Sequence, residues 1–282
     1  MKQWRKDIAS WRIGDTLYLS VVFTWDLPRA RELAIAHKGT VIAGGPAVDL
    51  MPKYLADVAI IGGDPIVRPL DFHNPLATFT TRGCPNRCTF CAVPRIEGEF
   101  RELTDWPVRP VICDNNLLAA SMAHFVRVID RLTALPYVDF NQGLDSDLFT
   151  RQHADQIARL KAANVRFAFD HVNSEASVHD AIQTARAHGL RDFGVYVLIG
   201  FNDFPEDALY RLETVREWGI RPNPMRYQPL NAIVKDQHVA PGWTDRELRR
   251  MMRYYSRLRW LEHIPFADYD PDNLPLFRGV AE

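Results

Sequence analysis

Residues 76–230 alternate between two kinds of segment, and that alternation restricts the folds open to the chain more than any other feature. Short β-branched and aromatic runs stand at LATFTT (76–81), RPVICD (109–114), YVDFNQ (137–142), VRFAFD (165–170), FGVYVLI (193–199) and MRYQPL (225–230). Between most of them lie runs with helical spacing of apolar residues: LLAASMAHFVRVIDRL (117–132), RQHADQIARLKAA (151–163), SVHDAIQTARAHG (177–189) and PEDALYRLETVREWG (205–219). Strands separated by helices pair in parallel as βαβ units, so the chain is expected to form a barrel, complete or partial, or an open doubly wound sheet. In each of these the chemistry gathers at the carboxyl ends of the strands.

The first 75 residues read as a smaller α/β unit. TLYLSVVFTW (16–25) is strand-like, LPRARELAIAH (27–37) is a helix opened by proline, and GTVIAGGP and ADVAIIGG are strands running into glycine turns, with a helix near 47–56 between them. The polar, proline-bearing DPIVRPLDFHNP (64–75) reads as a linker. Three segments are therefore expected: an N-terminal unit over 1–75, a main catalytic core over 76–240, and a C-terminal helical extension over 241–282. A chain of 282 residues with 47% hydrophobic composition can bury one sizeable core. Lys+Arg 34 against Asp+Glu 35 leaves a net charge of -1, so no global field draws the protein to nucleic acid or an anionic membrane. The polar N-terminus has no apolar signal core behind it, and no stretch approaches the ~18 apolar residues of a membrane span. The expected location is the cytoplasm, where clustered cysteines more often hold metals or redox groups than form disulfides.

Three of the four cysteines, Cys84, Cys88 and Cys91, fall in TTRGCPNRCTFCAVPRIEGEF (80–100), the loop after the first strand of the main core. Three soft thiolates suit zinc or an iron–sulfur cluster. Zinc wants a fourth ligand, which His73 or Cys113 would supply, and a redox dithiol needs only Cys88 and Cys91. Neither alternative accounts for the whole pattern.

Cys-x3-Cys-x2-Cys with the aromatic Phe90 before its last cysteine, placed after the first strand of a βα array, resembles the radical S-adenosylmethionine superfamily. The resemblance implies a partial (β/α)6 barrel with a truncated Rossmann-like N-terminal unit. It also implies a 4Fe-4S cluster on Cys84, Cys88 and Cys91, with one iron open to S-adenosylmethionine, and an external one-electron donor of flavodoxin or ferredoxin type. Phe90 then lies beside the cluster. Asp114, Asn115 and Asn116, at the second strand end, are placed near the methionine amine. Gln142 with Asn141 at the third strand end, and Asp170 with His171 at the fourth, are placed near the ribose or the substrate. Backbone at Ile199 and Gly200 is placed against the adenine. Simpler readings stand beside these: a helix cap at 114–116, an ordinary surface histidine at 171, and a buried strand ending in a turn at 199–200. Strand alternation in NPMRYQPL (223–230) turns either Arg226 and Gln228 or Met225 and Tyr227 inward. Arg226 and Gln228 are the expected pair, with a substrate carboxylate or phosphate as the anionic partner of Arg226.

The cysteine loop also resembles that of methylthiotransferases, but those carry three further cysteines ahead of it and this chain has no cysteine before Cys84. The N-terminal GGP (44–46) and IGG (61–63) are similar to a shortened cobalamin-binding domain, and the lack of an Asp-x-His-x-x-Gly motif argues against cobalamin itself. The blocks ICDNNLLA, DFNQGLD, YVLIGF, NPMRYQPL and RYYSRLR resemble a bacterial and phage group of radical proteins, some linked to thymine hypermodification in DNA. That resemblance implies an isomerase or mutase acting on a modified base in DNA or a nucleotide-like substrate. The alternatives are a radical methyltransferase or other enzyme modifying a small molecule, and a non-catalytic, zinc-stabilised binding module. WTDRELRRMMRYYSRLRW (243–260) reads as a helix with a capping box from Thr244 to Glu247. Its Arg246, Arg249, Arg250, Arg253 and Arg257 form either a solvated basic face or a stripe that tracks nucleic-acid phosphates.

Overall fold

A computed structural model describes residues 4, 5 and 7–272. The N-terminal unit is a four-stranded sheet in the order β1 (Ala9–Ile13), β2 (Thr16–Ser20), β3 (Val41–Gly44), β4 (Ile60–Ile61), antiparallel between β1 and β2 and parallel elsewhere. Helices α1 (Leu27–Ala36), with Pro28 in its first turn, and α2 (Pro46–Leu50) complete it. Its core gathers Leu17, Leu19, Val21, Leu27, Val41 and Val48. The expected linker contains a short helix, α3 (Pro69–His73), that acts as a wedge. Phe72 stacks on Trp11 at 4.6 Å, His73 Nε2 lies 3.0 Å from Ser20 Oγ, and Leu70 packs on Ala77, Val111 and Cys113 of the main sheet.

The main unit begins with β5 (Ala77–Thr78). A small antiparallel hairpin follows, β6 (Thr81–Arg82) with β7 (Arg101–Glu102), and carries α4 (Val93–Ile96) between its strands. Then come β8 (Val111–Ile112), α5 (Met122–Leu132), β9 (Val138–Phe140), α6 (Arg151–Ile157), β10 (Ala163–Ala168), α7 (Glu175–Ala187), β11 (Asp192–Ile199), α8 (Pro205–Glu217), β12 (Pro222–Arg226), α9 (Asp245–Ser256) and α10 (Leu258–Leu261). Six of these strands form a parallel sheet in chain order, β5-β8-β9-β10-β11-β12, with β5 and β12 at its two edges. The fold is thus α/β with an open parallel sheet.

Local sequence explains the helices. Ser121 caps α5 by accepting from the His124 amide at 3.2 Å, and Phe125, Val128, Ile129 and Leu132 repeat at the spacing that turns one side inward. Strand alternation then sorts the sheet: Val165, Phe167, Phe169, Val195, Val197 and Ile199 share one core with the helices. Each such side chain contributes about 1.5–3 kcal/mol on burial. The opposite face carries Asp139, Arg166, Tyr196 and Asn223, and α3 covers it under β5 and β8.

Two boundaries differ from expectation. Leu248, Met251, Tyr254, Tyr255 and Leu258 belong to the same core as the sheet, so α9 is an integral part of the main unit rather than a separate extension, and the rest of that expected segment, 273–282, lies outside the described residues. The last strand covers Pro222–Arg226 rather than 225–230, because an edge strand accommodates the prolines at 222 and 224 that would break a central one. Among the described residues no helix is long and apolar enough to cross a membrane.

The N-terminal unit meets the carboxyl end of the main sheet. Helix α2 packs against α4, the Thr24 hydroxyl donates to the Ala232 carbonyl at 2.5 Å in the segment after β12, and Ile233 packs into the N-terminal core.

Candidate functional site

The cysteine loop is the tip of the β6–β7 hairpin. At its entry Gly83 has φ +76, and a Cβ there would stand 2.6 Å from the Glu99 carbonyl oxygen, so only glycine lets the two arms close. Glu97 pins the base by accepting from the Gly83 amide at 2.8 Å and pairing with Arg82 at 3.0 Å. Within the loop the Cys91 amide donates to the Cys88 carbonyl at 3.0 Å, Asn86 Nδ2 donates to Asp145 Oδ2 at 2.9 Å, and Phe90 meets Phe201 edge-on at 5.5 Å.

All three thiols are free; Cys84 and Cys91 are half-buried and Cys88 is at the surface. Burial pushes the Cys88 thiol up, and Cys91, Cys84 and Asp170 push it further. Burial likewise pushes Cys91 up, with Cys84 and Glu97 adding to it. The Cys88 and Cys91 thiolates are therefore each disfavoured by burial and by their neighbours, and a bound cation would offset that. Among the described residues no three His, Cys, Asp or Glu side chains stand converged as a metal cage. The two expected zinc completers are engaged elsewhere: His73 with Ser20, and Cys113 in the α3 contact, its thiol pushed up to about 12 by burial. A soft three-thiol donor set with no fourth protein ligand among the described residues fits an incompletely ligated iron–sulfur cluster better than structural zinc.

At the end of β8, Asp114 is 3% exposed. Its carboxylate accepts from the Thr80 amide at 2.6 Å, the Thr81 amide at 2.9 Å and the Thr80 hydroxyl. Burial outweighs these bonds and pushes its pKa up to about 6. Asp114 is thus committed to the backbone that leads into the cysteine loop, not turned toward a ligand. The helix-cap reading also gives way, since Ser121 caps α5 and Asn116 makes no side-chain cap bond. Instead Asn115 Nδ2 and Asn116 Oδ1 are buried without a partner, while Asn116 Nδ2 donates to Asp145 Oδ2 at 2.9 Å. Orphaned buried amide atoms at the end of β8 are what a polar ligand would satisfy.

At the remaining strand ends, Gln142 is exposed, and the Asn141 carbonyl accepts from the Tyr196 hydroxyl at 2.8 Å. Asp170 accepts from the Leu198 amide at 3.0 Å, with its pKa raised by burial. His171 is exposed, and its Nδ1 accepts from the Asn173 amide at 3.2 Å, which makes it the cap of a 3-10 turn. Ile199 points into the helix-side core, so only its backbone faces the sheet's carboxyl edge. Gly200 has φ +74, and its amide and that of Phe201 donate to Asp203 Oδ1 at 3.0 and 3.2 Å.

Arg226 and Gln228 are corrections. Register sets Arg226 opposite Ile199, so it lies on the helix side, where Asp245 at 3.0 Å and the His238 carbonyl at 2.7 Å take its guanidinium. The anion expected from a substrate comes from the first turn of α9. Met225, opposite Leu198 and half exposed, occupies the other face, and Tyr227 rings onto Phe201 at 4.7 Å. Gln228 exchanges two hydrogen bonds with Asp236, at 2.8 and 3.0 Å, and so holds the segment that reaches the N-terminal unit.

Asp145, Asn86, Asp203 and Arg211 carry site structure that sequence reasoning missed. Arg211, 1% exposed, pairs with Asp203 and donates to the Phe169 and Leu198 carbonyls at 3.0 and 2.8 Å, tying two strand ends together. An arginine on the inward stripe of α8 was the available signal. The capping box of α9 forms as expected, and four of the five arginines have partners: Arg246 pairs with Asp270 and Asp272, Arg249 with Asp245, and Arg250 and Arg253 bond carbonyls within 266–271, while Arg257, just after α9, is exposed. The sequence matches no known family model, and no curated protein matches it.

Proposed function

We propose that this chain is a radical S-adenosylmethionine enzyme in which Cys84, Cys88 and Cys91 hold a 4Fe-4S cluster, and that its open sheet is the partial (β/α)6 barrel of that superfamily. One observation carries the reading: three cysteines on a glycine-pinned loop are joined through Asn86 and Asp145 to Asn116, whose carbonyl oxygen is buried without a partner. What the cofactors supply when bound is reductive cleavage of a sulfonium bond and a 5'-deoxyadenosyl radical for hydrogen abstraction.

The chain's own residues bind and orient. Asn115 offers a donor and Asn116 an acceptor to the methionine part. The turn at Ile199 and Gly200, held by Asp203, offers backbone to the adenine, and Asp170 stands at the neighbouring strand end. Phe90 against Phe201 keeps the loop closed over the sheet edge. The N-terminal unit packs through α2 on α4, the helix carried by the cysteine hairpin; cobalamin has no part in the proposal. The electron comes from an external one-electron donor of flavodoxin or ferredoxin type.

The favoured substrate is a nucleic-acid base or nucleotide-like molecule, with isomerisation of a modified thymine the most concrete case. A second reading, a small-molecule substrate, is favoured by the engagement of the α9 arginines with 266–272, which leaves fewer of them for phosphates.

The test is anaerobic reconstitution with iron and sulfide, then incubation with S-adenosylmethionine and dithionite and chromatography for 5'-deoxyadenosine. The nucleoside is expected from the native chain and not from Cys88→Ala. Zinc uptake with no nucleoside would sink the proposal.

A further inference from the structure

Two asparagines from different parts of the site converge on one carboxylate. Asp145, in the turn after β9, accepts from Asn86 Nδ2 and from Asn116 Nδ2 through the same oxygen, Oδ2, at 2.9 Å each. Its Oδ1 takes the Asp147 amide at 3.1 Å. Asn86 lies between Cys84 and Cys88, and Asn116 follows β8, so a single side chain joins the cysteine loop to two strand ends.

The chemistry of the carboxylate fixes more than position. An ionised carboxyl only accepts, so both amides must turn their NH2 toward it. For Asn116, 3% exposed, this settles the other end as well: its Oδ1 is held away from Asp145, buried and without a partner. A free-standing asparagine would present either end to a ligand. This one presents an acceptor.

We propose that Asp145 is a positioning residue that locks Asn116 with its carbonyl oxygen toward the ligand, so that this position selects a group that donates hydrogen bonds, and that it couples this selection to the placement of the cysteine loop through Asn86. The identity of the ligand rests on the function proposed above; the locking does not.

The probes are S-adenosylmethionine and an analogue with hydrogen in place of the α-ammonium, each bound by equilibrium dialysis to metal-free protein, so that no iron takes the amino group and the preference reports the side chains alone. The native chain is expected to prefer the ammonium form by about tenfold or more, the range of a hydrogen bond to a charged group. Asp145→Asn supplies both a donor and an acceptor, which frees Asn116 to turn, and the preference is expected to fall below about threefold. Asn86→Ala leaves Asn116 locked and should keep the preference, while iodoacetamide labels Cys84 and Cys88 of its metal-free form several-fold faster than in the native chain. An Asp145→Asn protein that keeps the full preference overturns the locking, and unchanged labelling in Asn86→Ala overturns the coupling. The function proposed above stands or falls by its own nucleoside assay; should the metal-free native chain bind neither probe, labelling of Asn86→Ala and Asp145→Ala alone decides the assignment of Asp145: faster in both upholds it, unchanged in both overturns it.

Discussion

Arg226 and Asp245 form a 3.0 Å ion pair between the edge strand β12 and the first turn of α9, with the guanidinium 4% exposed. The pair does two jobs at once. It neutralises a charge that burial would otherwise make costly, and it docks the N-terminus of a helix whose Leu248, Met251 and Tyr255 close the core over the last strands.

Asp245→Asn should therefore destabilise the fold by about 1–3 kcal/mol, below the full cost of breaking a buried pair because Asp245 is partly exposed. Arg226→Met leaves no uncompensated charge and should cost less. Urea denaturation of both variants measures the difference, and equal losses would mean that the pair matters through packing alone.

Asp114 makes stability depend on pH in an unusual direction. Its pKa is about 6 in the folded chain against an ordinary 3.8, so the folded state holds the proton more tightly. The stabilisation is fully present below about pH 4 and is lost as pH rises through about 6, up to about 3 kcal/mol in all. Asp114→Asn keeps an acceptor for the Thr80 and Thr81 amides and does not titrate. The melting temperature of the native chain is expected to fall relative to the variant between pH 4 and 7; parallel profiles would remove Asp114 as the titrating group.

Gly200→Ala meets two obstacles, a φ of +74 and a Cβ 2.7 Å from Leu248 Cδ2. The expected loss is about 1–3 kcal/mol. In a double-mutant cycle Leu248→Ala relieves the clash but not the backbone strain, so the coupling should be favourable and incomplete. Full rescue would show that the turn itself tolerates a side chain.

The raised thiols of Cys88 and Cys91 predict slow alkylation of the metal-free protein at pH 8 compared with a free cysteine, with rates climbing as pH rises further. Loading with iron and sulfide should protect Cys84, Cys88 and Cys91 together, and removing the metal should expose them again. Protection of only two would point to a dithiol rather than a three-ligand centre. Mass spectrometry of the alkylated peptides reads each site separately.

The alternation of strands and helices, the caps of α5 and α9 and the placement of three cysteines at the carboxyl edge of the sheet were all legible in the chain, because each depends on short-range periodicity and on residue types within a few positions. What the sequence could not settle was parity and partnership. Whether Arg226 or Met225 faces away from the helices depends on register with β11, and a shift of one residue reverses the answer.

Partnership was hidden for a related reason. Asp114 reaches Thr80 and Thr81, Asp145 reaches Asn86, and Arg226 reaches Asp245, contacts that span 34, 33, 59 and 19 positions along the chain or close across separate elements. A polar side chain in a sequence carries its capacity to bond but not its choice of partner. By itself the sequence determined the kinds of element, their order and the thiol chemistry of one loop. Tertiary structure decided which polar groups are spent on one another and which are left buried and open, because only packing brings distant donors and acceptors together and shuts out the water that would otherwise satisfy them.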